Sequence, residues 1–171
     1  MKKNILRLIS DGHTLILPAS DGSRLICDAK DTFKSGIDYD FIAWGVNKPG
    51  IATPAAPIQL HEVIDDGKFV DIFRSLPGKW SQKWLSQNQV IDFCTTLPEW
   101  VERGVDTFIL IKKDENKPIN EKKPKDNLVV VILGINVSGL RVGVSCLDNS
   151  GVRDGKCHLR VVSPELTPLA E

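Results

Sequence analysis

Long apolar runs are missing from this sequence: no stretch approaches the roughly 18 consecutive apolar residues that a membrane-spanning helix requires. After Met1, Lys2 and Lys3 the apolar residues are interrupted by Arg7 and stopped by Ser10 and Asp11, too soon for the core of a secretory signal. An excess of charge is missing too. Lys plus Arg and Asp plus Glu each count 22, a formal net charge of zero, which removes any global pull toward nucleic acid or anionic lipid. Little charge repulsion separates two copies, so self-association suits this composition. Cysteine is sparse, and Cys27, Cys94, Cys146 and Cys157 show no C-x-x-C spacing. Without a secretory signal they read as reduced thiols of a cytoplasmic protein. Phosphate-cradling motifs (G-x-x-x-x-G-K-[ST], G-x-G-x-x-G), the G-x-S-x-G elbow and zinc-ligand pairs are all absent. The sequence therefore leads us to expect no cofactor, no metal and no catalytic residue.

What is present is ordinary globular composition. Apolar residues make up 42% and charged residues 26% of 171 residues, enough for one core and one domain over residues 1–171. Asp11-Gly12, between apolar runs at 5–9 and 14–17, predicts a β-hairpin. Leu25, Ile26, Ala29 and Phe33 repeat at helical spacing. So do Ile37, Phe41 and Trp44, with Gly36 and Gly45 as stops and Asp38 and Asp40 on the polar side. Pro49, Gly50, Pro54 and Pro57 mark an extended connection. Residues 58–64 read as a strand or, nearly as well, as a helix. Asp65 and Asp66 then cap a helix that carries Phe69, Val70, Ile72 and Phe73 and ends at Pro77-Gly78. Ser86 and Gln89 form a capping box ahead of Val90, Ile91, Phe93, Cys94 and Leu97, and Pro98 closes that helix.

Beyond Gly104 the pattern turns to β. Residues 107–111, 128–133, 140–146 and 158–162 predict four strands, with turns at Ser138-Gly139 and Asn149-Ser150-Gly151, most economically an antiparallel meander. The expected fold is α+β, a helix-rich N-terminal half packed on a mainly antiparallel C-terminal sheet. Residues 112–126, charged and interrupted by Pro118 and Pro124, read as a flexible hairpin loop. Its six lysines against four acids fit either a solvated connection or a docking segment for an acidic partner.

Nucleophilic catalysis needs a thiol or hydroxyl beside an oriented base. His13, His61 and His158 are the only histidines. Cys94 and Cys146 fall at packing positions, and Cys157 and His158 are neighbours that a strand points to opposite faces. His61, Glu62, Asp65 and Asp66 form an acidic cluster able to hold a divalent ion if folded back, though the Asp pair is more simply a helix cap. Arg74, Lys79, Trp80, Lys83 and Trp84 stand out. A helix over 79–85 stacks the two indoles one turn apart among cations, the form of a platform for unpaired bases, a sugar or a protein partner. The alternative has both indoles sealing the core edge with the cations lying along them.

Thr14-Leu-Ile-Leu-Pro-Ala-Ser-Asp-Gly22 with Ala29-Lys-Asp-Thr-Phe33, Ile37-Asp-Tyr-Asp-Phe41 with Trp44-Gly45, and His158-Leu-Arg-Val-Val-Ser-Pro164 together resemble a set of uncharacterised bacterial proteins. That set pairs an A-T-D-G segment with an I-D-x-D-F-x-x-W-G helix and an H-R-V-V-V-P ending. Ser20 stands where the set has Thr, and Leu159-Arg160 departs from its ending. The resemblance spans most of the chain and implies no activity, ligand or site residue. The expected function is a non-enzymatic interaction module that binds a protein partner or a second copy, through the Trp80/Trp84 region or the late sheet. The alternatives are an enzyme of unknown reaction using a cysteine or an acidic cleft, and a single-stranded nucleic-acid or glycan binder through Trp80 and Trp84. Zero net charge disfavours nucleic acid.

Overall fold

A strand covered on both faces must carry apolar side chains on both, and the stretch Thr-Phe-Ile-Leu-Ile-Lys at Thr107–Lys112 is buried at every position. The sheet is built around it. The computed structural model describes residues 4–166. Its strands are β1 Leu6–Leu8, β2 Leu15–Leu17, β3 Gly36–Ile37, β4 Ala56–Val63, β5 Thr107–Lys112, β6 Leu128–Asn136, β7 Gly139–Cys146 and β8 Arg160–Pro164. They form one eight-stranded sheet in the order β1-β4-β8-β5-β6-β7-β3, with β2 also on β4. Pairing is mostly antiparallel; β5 with β8 and β3 with β7 are parallel. Helices α1 Asp40–Ala43, α2 Phe69–Arg74 and α3 Gln87–Thr96 complete an α+β fold.

The two-residue period of β5 divides the core in two. Ile109 and Ile111 join Leu60, Val131 and Val162 and the α3 residues Ile91 and Phe93 on one face. Phe108 and Leu110 join Val130 and Val161 and the α2 residues Phe69, Ile72 and Phe73 on the other. The Arg153 guanidinium lies 4.1 Å over the Phe69 ring and closes part of this second core.

Several expectations change. The Asp11-Gly12 hairpin does not form: β1 and β2 lie end to end along β4, with Leu6 opposite Val63 and Leu15 opposite Ile58. Ser10 Oγ accepts the Leu60 N–H at 3.0 Å, taking the place of a backbone acceptor, so the segment between them bulges from an edge instead of folding back. The helix expected over 25–33 shrinks to a 3-10 turn, Ile26–Asp28. The next becomes β3 followed by α1, because the Asp38 carboxylate accepts from Asp40 N at 3.0 Å and from Val144 N at 3.4 Å, tying the chain to β7. Residues 58–63 belong to a strand, β4, which ends one residue short of Ile64. Asp65 and Asp66 do not cap α2. Lys68 is its N-cap and donates its N–H to the Asp71 carboxylate at 3.3 Å, while Asp66 accepts from Gly155 N. Strands β1 to β4 all lie in the N-terminal half, so that half is not chiefly helical and the sheet spans the whole chain. The meander holds for β5, β6 and β7. Strand β8 leaves it and inserts between β4 and β5.

Helix α3 starts where its capping box places it: Ser86 Oγ accepts Gln89 N–H at 3.0 Å, and Gln89 Oε1 accepts Ser86 N–H at 2.9 Å. Its first turn also carries three loops. Gln87 Oε1 accepts Ile26 N–H at 3.0 Å while Nε2 donates to the Val46 carbonyl at 3.3 Å, and Asn88 Oδ1 accepts Arg24 N–H at 3.2 Å. From the third loop, the buried Glu115 carboxylate accepts Gln87 N–H at 3.1 Å and Ile51 N–H at 3.4 Å. The bonds to Arg24, Ile26, Val46 and Ile51 each satisfy a backbone group of the irregular 20–51 chain, and the bond to Gln87 N–H satisfies one at the start of α3.

Candidate functional site

Trp80 starts a 3-10 turn, Trp80–Gln82, and no helix spans 79–85. Both indoles are partly buried and pack against the second core. Trp84 Nε1 donates to the Ser81 carbonyl at 3.0 Å. The Lys83 ammonium sits 4.9 Å from the Trp80 ring centre and donates to the Phe73 carbonyl at 3.0 Å; the Lys112 ammonium sits 4.8 Å from the Trp84 ring. Lys83 is only 3% exposed, so its charge is held by the ring and the carbonyl, away from bulk solvent. The structure thus brings Trp80, Lys83 and Trp84 together and adds Lys112. Arg74 and Lys79 are exposed, and no described contact joins either to an indole.

The thiols and histidines are dispersed. Burial pushes the Cys94 thiol up to about 12 and raises that of the half-buried Cys27, while Cys146 and Cys157 are exposed. No described hydrogen bond joins a thiol to a histidine; Cys27 contacts Asp28. His158 Nδ1 lies 2.6 Å from the Glu62 carboxylate, which also pairs with Arg7. The His158 bond first, then the Arg7 bond, hold the Glu62 carboxyl below its ordinary value. His61 points to the other face of β4, where burial lowers its pKa. The acidic cluster read from the sequence therefore does not converge, and among the described residues no group of three potential ligands gathers around a metal-sized space.

A different surface carries exposed aromatic and aliphatic area. In α1, Phe41 is fully buried, which turns the preceding Tyr39 and Ile42 outward, three residues apart and neighbours on one face. Tyr39 is 71% and Ile42 46% exposed. They border a hollow of about 420 Å³ that also reaches Cys27, Phe33 and Ile37. Lys30 and Lys34 line it as well, and neither makes an ion pair among the described residues. The signal was present in the sequence: Tyr39 and Ile42 are the apolar residues left off the Ile37–Phe41–Trp44 stripe. Beside the hollow, the edge of β7 is closed. Ser35 and Asp38 donate to the Leu140 and Val142 carbonyls at 3.0 Å each, and Asp38 takes the Val144 N–H.

Compared with protein-family models, curated proteins and solved structures, the chain matches none. Among the described residues no helix is long and apolar enough to cross a membrane.

Proposed function

We propose that the protein is a non-enzymatic interaction module that binds a protein partner through the Tyr39–Ile42 hollow. One observation carries the reading: an aromatic and a branched aliphatic side chain stand exposed over an apolar depression, and aromatic anchors in such depressions dominate protein interfaces. Lys30 and Lys34 favour an apolar side chain flanked by carboxylates. The closed β7 edge means that side chains, not an added strand, make the contact. The Trp80/Trp84 platform is the weaker reading, because each indole already has an ammonium against it. We also propose a cytosolic setting, on the four unpaired thiols. A titration in denaturant without reductant that found fewer than four thiols would contradict it. We also propose that the chain is related to the uncharacterised bacterial set that shares its Ile37–Phe41 and Trp44-Gly45 pattern.

The experiment places a photo-crosslinking residue at position 39 in the cells of origin, with and without Ile42→Asp. An adduct of defined mass that disappears in Ile42→Asp supports the reading. The urea stability of that variant should stay within about 1 kcal/mol, as for other surface substitutions. An adduct at twice the monomer mass assigns the partner as a second copy. No adduct, or one indifferent to Ile42→Asp, overturns the hollow as the interface.

A further inference from the structure

We infer that a second surface, a basic hollow between α2 and residues 122–125, binds an acidic protein segment carrying an apolar side chain. It shares no residue with the Tyr39 hollow, so the two readings stand or fall separately. Lys68 and Arg74 reach it from the two ends of α2, and Lys122, Lys123 and Lys125 from the charged loop. Val70, Pro124 and Leu147 supply apolar lining, and the space measures about 310 Å³.

In the sequence the loop's lysines look offset by its acids, but in space three of the four acids face elsewhere. Glu115 is buried against Gln87 N and Ile51 N. Glu121 accepts Trp80 N–H and Ser81 N–H, both at 2.9 Å. Asp114 takes Asn116 N–H at 3.0 Å and pairs with Lys48 at 3.4 Å. Three of the four loop carboxylates are thereby spent on the loop's own anchoring, and around the hollow Lys68, Arg74, Lys122 and Lys123 keep their field while Lys125 is paired with Asp148. Glu121 has a second effect. By clasping the Trp80 turn it sets the next two residues, Lys122 and Lys123, against α2.

The hollow already holds one carboxylate of the chain itself, Asp148, 3.6 Å from Lys125 and more than half exposed. No aromatic ring lines it, so unpaired bases have nothing to stack on, whereas an apolar side chain has Val70 and Leu147 to cover. An acidic peptide with an apolar anchor fits both features.

Fluorescence anisotropy with the whole protein tests this, using a labelled Glu-Glu-Leu-Glu-Glu peptide, its Leu-to-Ser version and an oligothymidylate of equal charge. The leucine peptide should bind with strong salt dependence. Affinity should fall by about tenfold in Lys122→Glu/Lys123→Glu and in Arg74→Glu, as for charge reversal at a complementary interface. The serine peptide should bind several-fold more weakly. Glu121→Ala should also bind more weakly, although it makes the protein more positive. Tighter binding in that variant, equal binding of the serine peptide, or preference for oligothymidylate would show diffuse charge attraction or a nucleic-acid site, and would overturn the inference. So would no binding of the leucine peptide.

Discussion

Glu115 shows how one side chain can be both costly and required. Its carboxylate is pressed against Gly50, where no Cβ fits, and burial raises its pKa from the ordinary 4.5, partly countered by the Gln87 and Ile51 N–H bonds. Removing it leaves the buried Gln87 N–H and the part-buried Ile51 N–H unpaired, so Glu115→Ala should destabilise by about 2 kcal/mol in urea melts. The pH dependence has a definite sign. A carboxyl whose native pKa is raised binds its proton more tightly in the folded state, so its contribution to stability declines as pH climbs from 4.5 through the raised value. Glu62 behaves oppositely: its contribution is present above 4.5 and is lost as pH falls through its lowered native value. Urea midpoints measured against pH should therefore lose a declining slope in Glu115→Gln and an acid-labile slope in Glu62→Gln. Matching profiles for both variants and the parent protein would contradict these assignments.

The first turn of α3 is the element on which the irregular chain depends. Ser86→Ala removes one cap bond and should cost about 1 kcal/mol. Gln87→Ala strands the Ile26 N–H and the Val46 carbonyl together, and should cost more, about 2 kcal/mol or above, with the two ranked by urea midpoint. The cap was legible in the sequence because Ser86 and Gln89 are three residues apart and satisfy each other locally. Gln87 was not, since its partners sit in loops far away in the chain. The same distinction runs through the fold. Strands β5, β6 and β7 are joined by their own loops and could be read directly. The Asp11-Gly12 turn failed as a hairpin signal because Ser10 meets Leu60, a residue that local pattern cannot supply. At Trp80 and Trp84 the spacing was visible, but the second ammonium comes from Lys112 on β5. Tyr39 and Ile42 were visible as leftovers from a stripe and acquired meaning only once Phe41 was seen to be buried.

On the scale of the molecule, residues 113–127 join two central strands and are tied down at Glu115 and Glu121. Limited trypsin should cut after Lys122 faster in Glu121→Ala than in the parent protein, with the rest of the sheet intact; equal rates would mean that the clasp restrains nothing. The placement of β8 has a wider bearing. It pairs with β4 on one side and β5 on the other, so the last of the described strands in chain order lies between two sub-sheets made before it. A polypeptide emerging from the ribosome can assemble β5, β6 and β7 as they appear, yet it keeps an unpaired β4 edge and an unpaired β5 edge until residues 160–164 arrive. Closure of the sheet therefore waits for the last of its described strands. A chain interrupted between Cys146 and Arg160 presents both open edges, the form most prone to join with another unfinished copy.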